Sequence, residues 1–272
     1  MNLNKYKLLA GDASFRKFYR SKENSIIVYS KKNKYVNLLV YDAINSCFNK
    51  NGINAPKLKR ENYGKNYIEI EDLGNISILK LLKKNTNKNK IYFDVIKILK
   101  LLQKIQTRYL ITFKRKKYKI PQYTKIKLIK ESELFLNWYL PKVIQKTKIR
   151  NAKKEIKTDF NNLFKKLRLN KKVIVHRDFH VSNMMYYKKK IYLIDSQDAV
   201  YGNVAYDLAS LIDDVRFKTS ERLKNKIFNK FVKLNSPIDQ DKLKNDFEIL
   251  SVLRNLKIIG IFTRLAVRDK KI

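Results

Sequence analysis

Cysteine occurs once in the 272 residues, at Cys47. An intramolecular disulfide framework is therefore impossible, and a reducing, cytoplasmic compartment is expected. Glycine is also scarce, with only Gly11, Gly52, Gly64, Gly74, Gly202 and Gly260. None of these are spaced as G-x-G-x-x-G or G-x-x-x-x-G-K-[ST], which argues against a Rossmann dinucleotide site and a Walker-type phosphate loop. Histidine is limited to His176 and His180. They stand four apart, but Arg177 occupies the place where a zincin helix needs a glutamate, and the preceding Val173-Ile174-Val175 marks a strand end. No apolar run approaches the roughly 18–20 residues that cross a bilayer. The opening MNLNKYKLLAGDASFR lacks the apolar core of a signal peptide, so a soluble chain without a membrane partner is expected.

Acidic residues are few, 24 against 62 lysines and arginines, and the formal charge is +38. Such a charge points first to nucleic acid or an anionic surface. The lysines, however, are strewn along the whole chain among many Asn and Ile rather than gathered into one patch. The charge is read as a lysine-swollen surface that draws in small anions, and nucleic acid is not the expected partner.

What is present divides into two regions. KYKLLAG, FRKFYRS and NSIIVYS read as an antiparallel meander of short strands. VNLLVYDAINSCFNKNG follows as a helix with Gly52 as its stop, and APKLKRENYGKNYIEIEDLGN as a strand pair turning at Asn62-Tyr63-Gly64. Beyond Asn75 helical periodicity takes over. It runs through 91–108, through LIKESELFLNWYLPKV up to Pro141 and through a stretch near 153–168, with a basic loop expected over 109–125. Two β runs, 172–175 and 191–195, interrupt it before further helices. The expected fold is α+β and bilobal, protein-kinase-like. A small antiparallel β lobe with one helix spans 1–74, and a larger mainly α-helical lobe carrying the catalytic loop and acceptor site spans 75–272.

His176-Arg177-Asp178, Asn183 five residues after the aspartate and Asp195 at the end of the next β run reproduce the H-R-D-x-x-x-x-N loop and metal-binding aspartate of protein-kinase-like phosphotransferases. Phosphoryl transfer needs one carboxylate beside the attacking hydroxyl and oxygen ligands that hold Mg²⁺ against the nucleotide phosphates. Asp178 fits the first task and Asn183 with Asp195 the second, since carboxylate and amide oxygens suit Mg²⁺. His176 is expected to brace the loop through hydrogen bonds. Asp195-Ser196-Gln197 replaces Asp-Phe-Gly and no Ala-Pro-Glu follows, which argues against a protein substrate.

VIVHRDFHVSNMM…IYLIDSQDAVYGNVAYDLASLIDD resembles the aminoglycoside-phosphotransferase and choline-kinase superfamily. LAGDASFRKFYR (9–20), ELFLNWYLP (133–141) and LRNLKIIGIFTRLAVRDKK (253–271) are similar to the anomeric kinases of N-acetylmuramate and N-acetylglucosamine in bacterial cell-wall recycling. The resemblance implies that Asp178 is the catalytic base and that Gly11 to Arg16, with the Ser14 hydroxyl, forms a turn over the ATP phosphates. It further implies that Glu71 to Leu73 is the adenine hinge and that Asp207 ties down the catalytic loop. Trp138 is either a sugar-stacking residue or core; Asp214 and Arg216 either reach a polar acceptor or pair on a helix surface. The third strand offers Tyr29 instead of the kinase lysine, with Lys31 and Lys32 nearby and no partner Glu in the next helix, so Arg16 becomes a candidate phosphate cation. Relatives of this kind continue with more helix after Ile272. The expected activity is ATP- and Mg²⁺-dependent phosphorylation of a small hydroxylated acceptor, foremost the anomeric hydroxyl of N-acetylmuramate or N-acetylglucosamine. Alternatives are a kinase of an aminoglycoside, choline or homoserine, and a non-catalytic basic binding protein on a kinase-like fold.

Overall fold

β-branched and aromatic residues alternate with lysines over residues 7–71, and they fold into one five-stranded antiparallel sheet. In the computed structural model, which describes residues 6–9, 15–21, 23–84, 87–268 and 270, its strands are β1 (Lys7–Leu9), β2 (Lys17–Arg20), β3 (Ser25–Tyr29), β4 (Leu58–Asn62) and β5 (Tyr67–Glu71). Their spatial order is β1-β2-β3-β5-β4. β3 takes the centre because Ser25 to Val28 are all buried and it pairs on both sides, with Val28 opposite Ile68 and Ile26 opposite Ile70 on β5. Those four residues, with Leu38 and Tyr41, form a small core of their own. The turn expected at Asn62-Tyr63-Gly64 is found there and runs on to Asn66, which takes the left-handed conformation at φ +67°. A π-helical segment, Tyr35–Val40, runs into α1 (Tyr41–Lys50), and Gly52 at φ +76° follows as its stop.

The helices of the remainder begin where capping side chains place them. α2 (Ile78–Lys83) starts on Ser77, and α3 (Lys88–Lys104) starts three residues earlier than the periodicity predicts because Asn87 accepts from the Lys90 amide at 3.1 Å. The stretch expected as a basic loop contains a hairpin, β6 (Tyr109–Ile111) and β7 (Lys117–Lys119). Leu110 opposite Tyr118 gives it an inward face, and three-residue strands among lysines are too short to show a period. α4 (Lys125–Leu134) continues through a π-helical turn, Phe135–Tyr139, into α5 (Leu140–Val143). Pro141 therefore does not end the helical run. It sits in the first turn of α5, where its missing N–H costs nothing. After α6 (Ile149–Lys165) come β8 (Lys172–Val175), β9 (Met184–Tyr187), β10 (Lys190–Leu193), β11 (Val200–Asn203), α7 (Tyr206–Ile212), α8 (Glu221–Leu234) and α9 (Gln240–Arg268).

The two β runs read from the sequence do not pair with each other: β8 pairs with β11 and β10 with β9, both antiparallel. The β9–β10 hairpin also joins the two regions, since the Leu193 amide donates to the Asn54 carbonyl at 2.9 Å; within the second region the Tyr186 amide donates to the Ile76 carbonyl at 2.8 Å. The main core packs α1 and α3 against β8, α7 and α8. Among the described residues no helix is long and apolar enough to cross a membrane.

α9 packs on α4 and its π-helical turn with no room at Gly260, where a Cβ would overlap the backbone of Leu134 and Phe135. Backbone cannot rotate out of the way as a side chain can. Gly260→Ala is therefore expected to cost about 3 kcal/mol of stability, read as a drop in the urea midpoint at unchanged slope.

Candidate active site

β8 ends in the buried run Val173 to Val175 and delivers His176 into the interior, fully inaccessible to solvent. Its ring lies 6.3 Å from that of Phe48 and 6.2 Å from that of Phe179. Burial holds the imidazole below its ordinary range, against the opposing effect of the Asp178 carboxylate and of a hydrogen bond with the Ile194 backbone. His176 holds the loop through aromatic packing and its backbone N–H, which donates to Asp207 Oδ2 at 2.6 Å. The Arg177 amide donates to Asp207 Oδ1 at 3.0 Å. Arg177 itself takes φ +74°, a conformation costly for a non-glycine residue unless its surroundings enforce it. Asp207, buried at the start of α7, supplies that enforcement. Burial raises its carboxyl to about 7, against the opposing pull of the two amides.

Beyond Arg177 the loop closes on itself. The His180 amide donates to the Asp178 carbonyl at 3.0 Å, the Asn183 amide to the His180 carbonyl at 2.9 Å, and Asn183 Nδ2 to the Asp178 carbonyl at 3.1 Å. Burial works to raise the Asp178 carboxyl, but the Lys257 ammonium foremost, with Arg177, reverses this and leaves it at about 2. His180 is pushed down to about 3 by burial and then by Arg216, so it stays neutral and serves as a hydrogen-bond partner of Ser182, at 2.9 Å. Asp178 is the ionised group of the loop at neutral pH.

Asp195 follows β10 with φ +66°, which aims its carboxylate back across the cleft. One oxygen, Oδ1, is held by Arg16 Nη2 and by Gln197 Nε2 at 3.3 Å. Arg16 also donates to Gln197 Oε1 at 2.5 Å, and its guanidinium lies 5.2 Å from the Tyr41 ring centroid. The Arg16 side chain is buried at the cleft floor against Asp195. Gly11 and Ser14, the other members of the turn expected over the phosphates, lie outside the described residues. Asp195 Oδ2 accepts no hydrogen bond from the described residues.

Arg16, Glu71, Leu73, Asn183 and Asp195 line one cleft of about 400 Å³ between the sheet and the β9–β10 hairpin, walled by Phe18, Ile26, Tyr41 and Ile70. At its rim Arg20 Nη2 donates to Asp72 Oδ1 at 2.9 Å and to the Gly74 carbonyl at 3.0 Å, tying β2 to the segment after β5. The main-chain N–H and carbonyl of Leu73 have no partner among the described residues and are available to a ligand. Asn183 and Asp195, which both line this cleft, offer the amide and carboxylate oxygens that suit Mg²⁺.

Three expected acceptor residues lie outside this cleft. Trp138, on the π-helical turn, is half-buried with the Arg268 guanidinium 5.9 Å from its ring centroid. Asp214 and Arg216 belong to the loop after α7, not to a helix surface. Asp214 is buried and accepts from the Arg216 amide at 3.0 Å, and the two side chains are 3.7 Å apart. Sequence reading missed Glu131 and Lys257. Glu131 accepts from Arg177 Nη2 at 2.6 Å, from Lys257 Nζ at 2.8 Å and from the Tyr123 hydroxyl at 2.6 Å. Lys257 was visible as a lysine inside the otherwise apolar LKIIGIF of α9, a placement that calls for a buried partner.

A model of the phosphotransferase enzyme family matches residues 5–237. An N-acetylmuramate/N-acetylglucosamine kinase of Neisseria meningitidis serogroup B is 27% identical over 274 residues, covering 96% of this chain and 79% of the relative. One of Pseudomonas aeruginosa is 24% identical, covering 96% and 77%. Among solved structures, a Plasmodium vivax ethanolamine kinase superposes with a TM-score of 0.65 at 13% identity, covering 98% of this chain and 79% of the other. The streptomycin-ATP-APH(2")-IIa ternary complex gives 0.62 at 14%, covering 98% and 93%. These last two likenesses show the fold.

Proposed function

The chain belongs to the phosphotransferase enzyme family, and from that premise we propose that it transfers the γ-phosphoryl group of ATP to the anomeric hydroxyl of N-acetylmuramate or N-acetylglucosamine. The observation that carries this reading is the convergence of Asn183, Asp195 and the unpartnered main chain of Leu73 on one cleft, with Asp178 held ionised on the same loop. The amino sugars come from the names of relatives that match 96% of the chain. In this reading residues 1–74 and the β9–β10 hairpin hold the nucleotide, and residues 75–272 supply the loop and the acceptor site. The work is done in the cytoplasm, within cell-wall recycling.

Adenine would lie between Ile26, Ile70 and Met185 with its edge against Leu73. Asn183 and Asp195 would hold Mg²⁺, which when bound neutralises the phosphate oxygens and leaves the γ-phosphorus open to attack. Asp178 accepts a hydrogen bond from the acceptor hydroxyl and sets its oxygen in line. The new O–P bond forms as the bond from phosphorus to the β,γ-bridging oxygen breaks. ADP departs, and the hydroxyl proton passes through Asp178 to solvent. A carboxyl held near 2 is a weak base, so its contribution is orientation and charge, with the proton moving late.

ATP consumption with Mg²⁺ and N-acetylmuramate, N-acetylglucosamine, choline, homoserine or an aminoglycoside tests the reading. Turnover is expected with the amino sugars at a kcat/KM at least about a hundredfold above the others. Turnover confined to choline, homoserine or an aminoglycoside would reassign the acceptor.

A further inference from the structure

Arg177 is the charged residue of the catalytic loop to which the proposed reaction gives no task. Its side chain is 17% exposed, and a guanidinium taken that far out of water is costly unless an anion meets it. Two carboxylates among the described residues lie within ion-pair distance. Asp198 Oδ1 is 3.7 Å from Nη1 and 49% exposed, so water screens it. Glu131 Oε1, on α4, accepts from Nη2 at 2.6 Å and is 18% exposed. Glu131 is the anion this cation is built around.

The carboxylate is held as firmly as the cation. Its second oxygen accepts from the Tyr123 hydroxyl at 2.6 Å and from Lys257 Nζ at 2.8 Å. Arg177 Cζ stands 5.4 Å from the centroid of the Tyr123 ring, which meets edge-on, at 5.0 Å, the ring of Tyr206, the residue before Asp207. One position on from Glu131, Ser132 Oγ donates to the Leu253 carbonyl at 3.2 Å and fixes α4 on α9. Arg177 is thus gripped at both ends, its amide by Asp207 on α7 and its fork by Glu131 on α4. That double grip is what a non-glycine residue at φ +74° requires. The next residue is Asp178, so the turn taken at Arg177 sets where the reacting carboxylate points.

In protein kinases an anion facing such arginines arrives by phosphorylation of the mobile activation loop. Here β11 begins at Val200, soon after Asp195. The one hydroxyl in residues 196–199 belongs to Ser196, which is fully buried and donates to Asn45 Oδ1 at 2.5 Å. We propose that Glu131 is a positioning residue of the transfer step: a built-in anion that fixes Arg177, and through it Asp178, so that the loop stands ready without phosphorylation. This rests on the phosphotransfer reading above and is indifferent to which acceptor is used.

The test compares Glu131→Gln, Arg177→Gln and the double variant with the wild type, on whichever acceptor of the panel above the wild type phosphorylates. For each, kcat, the acceptor KM, the Kd of a fluorescent ATP analogue and the melting temperature are measured. Glutamine keeps the length of the side chain and one acceptor oxygen, and removes the charge. Glu131→Gln is expected to lower kcat about a hundredfold, as a misplacement of about 1 Å does, with the acceptor KM and the ATP Kd within about threefold of the wild type. Binding should be spared because Glu131 does not line the nucleotide cleft. Arg177→Gln should match that loss, and the double variant should fall no more than about threefold below either, since both changes release the same grip. Wild-type turnover should be unmoved by phosphatase treatment. Should Glu131→Gln not fold with two cations left unpaired, Glu131→Gln/Lys257→Met, which removes one of them, carries the test against Lys257→Met alone, with the same loss of kcat expected. A kcat per folded molecule within about threefold of the wild type in Glu131→Gln overturns the proposal. So do losses that multiply in the double variant, an ATP affinity that falls in step with kcat, and turnover lost on phosphatase treatment. A wild type that phosphorylates no acceptor of the panel sinks the phosphotransfer reading itself, and the positioning role with it.

Discussion

Asp178→Asn is expected to lower kcat by about a thousandfold or more while leaving the Kd for ATP within about threefold of the wild type. Asparagine keeps the shape of the carboxylate and can still accept a hydrogen bond, so the loop contacts made through the Asp178 carbonyl survive. It loses the charge that Lys257 faces, and it cannot take up the hydroxyl proton. Asp178 does not line the nucleotide cleft, which is why binding and turnover should separate. A stability signature accompanies the kinetic one. Its folded pKa of about 2 lies below the ordinary 3.8. The stabilisation it provides is therefore present above about pH 4 and lost as pH falls from there through 2. Urea midpoints between pH 4 and 2.5 should decline less steeply in the asparagine variant than in the wild type. Turnover within tenfold of the wild type at pH 7 would remove Asp178 from the chemistry, and an equal loss of ATP affinity would make it a structural residue of the cleft.

Much of this site was legible because its chemistry is local. His176, Asp178 and Asn183 fall within one loop, and their spacing alone carries the constraint that one carboxylate and one amide serve opposite sides of a phosphate. The central strand was legible for a similar reason, since Ile26 to Val28 and Ile68 with Ile70 carry burial in their own composition. What could not be read is what depends on distant partners. Arg16 and Asp195 are 179 positions apart, and nothing near Arg16 announces a buried destination. Glu131 sits in KESEL, an ordinary exposed-looking helical stretch, and only the fold sets it between Arg177 and Lys257. β6, β7 and β11 have three or four residues each, and most of their stability comes from what they pack on.

Removing Arg16 should cost nearly as much as removing Asp195, and removing both should cost little more than removing either. A kinase lysine is absent from β3, where Tyr29 stands, and Lys31 and Lys32 are exposed. β2 supplies the alternative, because Lys17 pairs with Tyr29 and Arg16 precedes it at the inner end of the strand. From there the guanidinium reaches Asp195 and Gln197 beneath the cleft, the region where nucleotide phosphates would meet the metal ligands. Its buried, always-charged fork can orient the carboxylate and draw in phosphate together. Arg16→Met and Asp195→Asn are each expected to reduce kcat/KM for ATP by about 10²–10³-fold, the loss of one preorganised charge partner in a water-poor site. The double variant should fall no more than about tenfold below the worse single one, since both changes break the same pair. Mg²⁺-dependent binding of a fluorescent nucleotide gives the second readout: its metal dependence should vanish in Asp195→Asn and persist, weakened, in Arg16→Met. If the two losses multiplied in full, Arg16 and Asp195 would be acting separately, and the cation for the phosphates would have to come from Lys31 or Lys32 after all.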